Sequence, residues 1–298
     1  MAIAGSTGRS LLGIVSVWVA LASGGERAAA ATLVGITFGD TGAAVLYNLN
    51  PAAGSTSNPR STGLSDVAGI AFSPDGTLFG LTTVASQPSV PNALYKIDPT
   101  TGTPTLVGAT GFQPPAFIAE GDLAFDPITG NLYGVQSVPS AGSGARDLFE
   151  LNPSTGQATV IGSVRTTGGD LSAMAFDNSG NLFIVDTESA TLLRVDKSTA
   201  AILGSVDLSV HSLGDLAGMA FDPQTGTAYF GNGIRVNGIS TSGNLYTLDT
   251  STGALTLLGP SVALAGLSFT PVPEPATLLL FGFGLAGICG ARAGRHCV

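Results

Sequence analysis

The sequence predicts an all-β fold, a five-bladed β-propeller closed by pairing of strands from its two ends, flanked by an N-terminal signal helix and a C-terminal transmembrane sorting helix. Three observations predict it. A short motif ending in phenylalanine recurs five times, as Gly69-Ile70-Ala71-Phe72, Asp122-Leu123-Ala124-Phe125, Ala173-Met174-Ala175-Phe176, Gly218-Met219-Ala220-Phe221 and Gly266-Leu267-Ser268-Phe269, at spacings of 53, 51, 45 and 48 residues. Repeats of this length built from short strands are the signature of propeller blades. The chain is rich in glycine (42 residues) and in Thr, Ser, Asn and Asp, and its middle has no sustained apolar spacing of three and four, so short strands and tight turns are favoured over helices. Finally, the first unit starts with a second strand and the last unit stops after a first strand.

Each phenylalanine opens the same series. After Phe125 come a turn Asp126-Pro127-Ile128-Thr129-Gly130, a strand Asn131 to Val135, a variable loop, a strand Asp147 to Leu151, a turn Asn152-Pro153-Ser154-Thr155-Gly156 and a strand Ala158 to Gly162. The third strand recurs as Leu46-Tyr47-Asn48-Leu49, Leu94-Tyr95-Lys96-Ile97, Leu148-Phe149-Glu150-Leu151, Leu192-Leu193-Arg194-Val195 and Leu245-Tyr246-Thr247-Leu248. Leu33 to Ile36 reads as a second strand with no first strand before it, and Ala265 to Phe269 as a first strand with nothing after it, so the two should share one blade. On the innermost strands large residues alternate with small ones (Met174 and Phe176 with Ala173 and Ala175), which fills the layer between blades on one face and lets sheets crowd the axis on the other. Aspartate-proline-glycine turns such as Asp98 to Gly102 and Asp222 to Gly226 lack the alternating ligands of a calcium loop and read as structural.

Three segments follow: a signal peptide at 1–31, a propeller domain at 32–270 and a sorting signal at 271–298. At the front, Arg9 precedes an apolar run Leu11 to Ala22, a polar stretch Ser23 to Arg27, and four alanines. The run is too short to span a hydrocarbon core of about 30 Å, and signal peptidase is expected to cut at Ala30 or Ala31. At the back, Val272-Pro273-Glu274-Pro275-Ala276-Thr277 leads into the glycine-studded apolar run Leu278 to Gly290 and a basic tip with Arg292, Arg295 and His296. The basic tip favours the cytoplasmic side, which leaves the propeller on the far side of the inner membrane.

This tail resembles the PEP-CTERM sorting signal of Gram-negative bacteria, with Pro273, Glu274 and Pro275 on the namesake positions and the likeness running from Val272 to Cys297. The resemblance implies recognition by exosortase, a transient inner-membrane anchor, and delivery to the cell surface or extracellular matrix, where exopolysaccharide or other surface components are candidate partners.

The propeller segment carries seven Lys and Arg against eighteen Asp and Glu. No basic stripe is available to displace phosphate counterions, so nucleic acid is not an expected partner, and a monomer is expected. Both cysteines, Cys289 and Cys297, lie in the tail, so no disulfide staples the core. The segment has no tryptophan and one histidine, His211, whose neighbours Ser209, Asp207 and Asp215 permit a triad on paper but without a nucleophile-elbow sequence. Gly231-Asn232-Gly233 follows no phosphate-loop spacing and reads as a turn.

Chemistry, if there is any, should sit where the innermost strands begin. Asp66, Asp170 and Asp215 each stand six residues before the aligned phenylalanine, and Glu120 and Asp122 lie nearby in their own blade. Carboxylates that converge at one channel mouth repel unless a cation sits among them or their pKa values rise, which makes these five candidate ligands for a Ca²⁺-like ion. Otherwise each caps its own turn. Two functions therefore compete: a non-catalytic binding or structural module displayed at the cell surface, and a divalent-metal-dependent hydrolase or lactonase acting at the mouth. Sugar binding at the loops is a third reading, although the tyrosines, from Tyr47 to Tyr246, mostly fall at strand positions.

Overall fold

The computed structural model describes residues 30–83, 85, 90–112, 118–137, 146–166, 168–208 and 213–272, all within the unit Ala29–Pro273. The leader up to residue 29, His211, and the Pro273-Glu274-Pro275 motif with the apolar run behind it lie outside the described residues. Ala30 is exposed, and Ala31 is half-buried with its N–H donated to Gln224 Oε1 at 3.3 Å. Among the described residues no helix is long and apolar enough to cross a membrane.

The described residues form twenty strands. The chain opens with β1 (Leu33–Ile36), β2 (Val45–Leu49) and β3 (Thr56–Ser61). Four complete sheets follow: β4 (Val67–Phe72), β5 (Leu78–Thr82), β6 (Ala93–Ile97) and β7 (Pro104–Ala109), then β8 (Glu120–Phe125), β9 (Leu132–Ser137), β10 (Arg146–Leu151) and β11 (Ala158–Arg165). The third and fourth are β12 (Leu171–Phe176), β13 (Leu182–Asp186), β14 (Thr191–Val195) and β15 (Ile202–Asp207), and β16 (Leu216–Phe221), β17 (Ala228–Val236), β18 (Ile239–Leu248) and β19 (Leu255–Ser261). The last strand, β20 (Gly266–Phe269), returns to the first sheet, whose order is β20-β1-β2-β3. Leu33 pairs with Phe269 and Ile36 with Gly266 in an antiparallel ladder, so the fold is a five-bladed propeller with a shared closing blade. Thr32 and Thr270 extend the closure by a backbone bond and a side-chain bond.

The alternation along the first strands explains the packing. Their large residues enter the seams between blades, where four of the five phenylalanines meet an aromatic ring on the second strand of the preceding blade. The pairs are Phe79 with Phe125, Tyr133 with Phe176, Phe183 with Phe221 and Tyr229 with Phe269, with ring centroids 5.3–5.6 Å apart. Such tilted pairs contribute roughly 0.5–1.5 kcal/mol each beyond area burial. In the fifth seam Val34 replaces the partner ring against Phe72, and the Phe72 N–H reaches Ser268 Oγ of the closing strand at 2.9 Å.

The small residues of the same strands face the axis, where β4, β8, β12, β16 and β20 follow one another around a ring. A Cβ on Gly218 would fall 2.6 Å from the backbone of Gly266, and one on Gly266 would fall 2.9 Å from Gly69 Cα. Glycine is therefore needed for the innermost backbones to touch.

At the far end of the strands, Asx turns close the hairpins. Asp98, Asp177, Asp222 and Asp249 each accept the N–H two residues on at 2.7–2.9 Å, the structural role expected of the Asp98 and Asp222 turns. One sequence expectation is corrected: Gly231-Asn232-Gly233 is not a turn but lies inside β17. The glycines are there for close approach, since a Cβ on Gly231 would meet Leu264 Cδ1 at 2.5 Å and one on Gly233 would meet Leu216 Cβ at 2.9 Å.

Candidate functional site

The innermost strand of any blade has one edge with no strand beside it, so its N–H groups face the axis unpaired. In four blades the residue facing the axis three positions before the phenylalanine is Gly69, Ala173, Gly218 or Gly266, and in the fifth it is Asp122. The Asp122 carboxylate fills the space the small residues leave. Oδ1 accepts the N–H of Leu123 at 2.8 Å and Oδ2 that of Met174 at 2.9 Å, while the Met219 N–H also bonds to the carboxyl. On the remaining side it lies against Gly69, where an added Cβ would overlap Oδ1. Asp122 is wholly buried, and that burial pushes its carboxyl well above the usual range despite the three N–H bonds. The axis is thus plugged by a side chain that bonds to three blades.

Above this plug, at the end where the first strands begin, two carboxyl groups meet one cation that sequence reasoning missed. Arg235, near the tip of the β17–β18 hairpin, donates from Nη1 to Glu120 Oε1 and from Nη2 to Asp40 Oδ1, both at 2.7 Å. Its guanidinium carbon sits 4.3 Å from the centroid of the Phe38 ring. Asp40 also accepts the N–H of Ser240 from the same hairpin at 2.7 Å. Burial raises the Asp40 carboxyl, but the bonds from Ser240 and Arg235 outweigh it and hold the group below its usual range.

Glu120 is in hydrogen-bond contact with Asp170, the first residue of the next blade's approach to the axis. Burial first, and the Asp170 charge second, push Glu120 up to about 8 against the pull of Arg235. Glu120 therefore keeps its proton at neutral pH. Asp66 lines the same cleft as Asp40, and its carboxyl is raised by burial and by the charge of Asp40. That cleft, of about 470 Å³, is lined by the Gly39–Ala43 loop, Gly63, Ser65 and Asp66.

Of the five carboxylates singled out in the sequence, Glu120 and Asp170 come together, Asp66 shares the mouth through Asp40, and Asp122 sits below them in the channel. Asp215 is tied through its N–H to Gly233 O at 3.1 Å. Among the described residues no three His, Cys, Asp or Glu side chains are grouped so as to hold a metal ion. The group that meets Asp40 and Glu120 is a guanidinium rather than a bare cation.

A further set of polar residues escaped notice in the sequence. One step beyond each axial position's ladder partner along the second strand stands Thr37, Thr82, Gln136, Asp186 or Asn232. Thr37 Oγ1 accepts the Val45 N–H, Thr82 Oγ1 that of Ala93, Asn232 Oδ1 that of Asn244, and Asp186 Oδ1 that of Asp170. These side chains secure the loops at the mouth end. They recur one residue past the apolar part of each second strand, a signal readable once the blades are aligned.

The PEP-CTERM protein-sorting motif matches residues 271–293. No curated protein matches the chain. Among solved structures the chain is similar to a chain of a nidogen/laminin complex, at 12% identity and a TM-score of 0.47 over 80% of this chain and 98% of that one. It is also similar to a gluconolactonase from Xanthomonas campestris (13% identity, TM-score 0.45, 82% and 84% covered) and to the calcium-binding protein regucalcin from Agrobacterium tumefaciens (19%, 0.42, 79% and 78%). These likenesses are too distant to transfer a ligand or an activity. The chain is thus a propeller followed by a PEP-CTERM motif, and the motif implies export, a transient membrane-anchored sorting signal and processing by exosortase.

Proposed function

We propose that this protein is displayed at the cell surface or in the extracellular matrix, and that its propeller serves there as a non-catalytic binding or structural module. The observation that carries this reading is the position of the sorting motif, which begins at residue 271, immediately after the closing blade's last tie at Thr270. The protein is then delivered as one rigid ring with its loops presented outward. The charged groups at the mouth support the same reading, since Arg235, Asp40 and Glu120 bind one another and Asp122 binds backbone.

Expression in an exosortase-bearing host tests the address. The parent should lose its tail and collect in the surface or matrix fraction, whereas a Pro273→Ala/Glu274→Ala/Pro275→Ala variant should stay full-length in the membrane. Equal sorting of the two would end the reading. The role of the ring is tested on the released protein with a glycan array and an ester and lactone screen containing calcium, magnesium or zinc. Turnover lost in Asp170→Ala would replace the binding module with a hydrolase.

A further inference from the structure

The β17–β18 hairpin departs from the other four. Its strands run nine and ten residues, whereas every other second and third strand has four to six. The ladder is regular from Ala228↔Leu248 to Gly231↔Leu245, is interrupted around Gly233 and Gly243, and resumes for Ile234↔Ser242, Arg235↔Ser240 and Val236↔Ile239. The third neighbour, β19, reaches only as far as Gly243. Beyond that point the hairpin is a two-stranded arm, closed by Asn237 (φ 54°) and Gly238 (φ 78°) in the turn that suits a two-residue hairpin.

An isolated two-stranded arm is marginal in water unless something holds it. Burial does not hold this one. No residue from Ile234 to Ser242 is buried, and Ile234, Val236 and Ile239 stand 37%, 53% and 47% exposed. What ties the arm down is polar: the two Arg235 ion pairs, the Ser240 N–H on Asp40, and the guanidinium over Phe38. These contacts reach across 115 and 195 residues of sequence to two other blades. The clamp is also incompletely satisfied, since Arg235 Nε is buried without a hydrogen-bond partner among the described residues. Opening would return that atom to water, which lowers the cost of release, and the apolar surface it would expose is mainly the face of the Phe38 ring.

We propose that the arm from Ile234 to Ser242 is a strap across the channel mouth, latched by Arg235, which opens as a local event while the blades stay folded. Closed, it covers Glu120 and Asp40. Open, it gives solvent or a ligand direct access to the carboxyls at the mouth.

Hydrogen exchange on the full chain tests this. In the parent, the Ser240 amide and its neighbours in the arm should exchange by an opening distinct from that of the blades, and faster at about 1 M salt, where the ion pairs are screened. Arg235→Ala should speed exchange of the arm by about tenfold or more and leave amides of β17 from Ala228 to Gly231 and of β12 unchanged. Arg235→Lys, which keeps the charge but loses the two-pronged fork, should fall between the two. Arm amides that exchange only with the blades in the parent, or an unchanged arm in Arg235→Ala, would overturn the proposal. So would a loss of protection throughout the blades in that variant, because Arg235 would then be part of the ring's core and not a latch.

Discussion

Met174 donates its backbone N–H to the carboxylate of Asp122 at 2.9 Å, joining two blades across the propeller axis. With Leu123 and Met219 on the same carboxyl, Asp122 satisfies three edge N–H groups that would otherwise face an apolar channel. Asp122→Ala is expected to cost about 2 to 4 kcal/mol, from the unpaired donors it leaves behind. Asp122→Asn should cost less, because its amide oxygen remains an acceptor of similar size and place. Urea denaturation of the three proteins checks the order. An alanine variant as stable as the parent would mean that the buried carboxyl costs as much as its bonds contribute.

Glu120 gives the fold a pH dependence of definite sign. Folding raises this carboxyl from its ordinary 4.5 to about 8, so the folded chain binds the proton more tightly than the unfolded one. The stability contributed is full below 4.5 and is lost progressively as pH rises toward 8. Glu120→Gln should remove that loss, gaining on the order of 5 kcal/mol relative to the parent between pH 4.5 and pH 9, or several degrees in melting temperature. Asp122 shifts in the same direction, so the difference between variant and parent across pH is the quantity to measure. Parallel pH profiles for the two proteins would refute the assignment.

Phe176 is the seam residue with the fullest set of partners. It packs on Tyr133 at 5.3 Å, and Lys197 Nζ lies 5.6 Å over its ring while pairing with Asp126 of the preceding blade. Phe176→Ala is expected to cost about 3 to 5 kcal/mol in chemical denaturation. No change in the unfolding midpoint would contradict its place in the seam.

Arg60 should be replaceable at a gain. It is 6% exposed, its Nη1 bonds Asn48 Oδ1 at 2.8 Å, and its Nε and Nη2 have no partner among the described residues. Burial accordingly pushes the guanidinium pKa down. It pairs with Leu46, at a position where Leu94, Leu148 and Leu245 are each paired with a glycine. Arg60→Met keeps the packing and removes the buried unpaired charge, so it is expected to raise stability by about 1 to 2 kcal/mol. A drop in melting temperature would show that the guanidinium is better solvated than its burial implies.

Much of the fold could be read in the sequence, because ring packing imposes local rules. A first strand that must touch its neighbours at the axis and fill a seam has to alternate Gly or Ala with Met, Ile or Phe, and five such strands can be counted directly. The closing pair of β1 and β20 followed from that count. The mouth was only half readable. Asp66, Asp170 and Glu120 were visible as acidic residues ahead of the first strands, but nothing local says which of them meet. Asp122 was grouped with them, although it occupies the axial position held elsewhere by Gly69, Ala173, Gly218 and Gly266, and that substitution was the available clue. Arg235 and Asp40 could not be paired from sequence, since they lie 195 residues apart and meet only because an overlong hairpin bends over the ring.

The shared closing blade sets the order in which this molecule can be completed. The sheet started by β1, β2 and β3 has an open edge until β20 arrives, more than 200 residues later in the chain. A chain threaded through a membrane from its front end thus carries an unfinished template for strand addition throughout its passage, and this is the stage at which foreign strands could capture it. Joining the last strand to the first is a long-range, slow step, and it is also the step that removes the hazard.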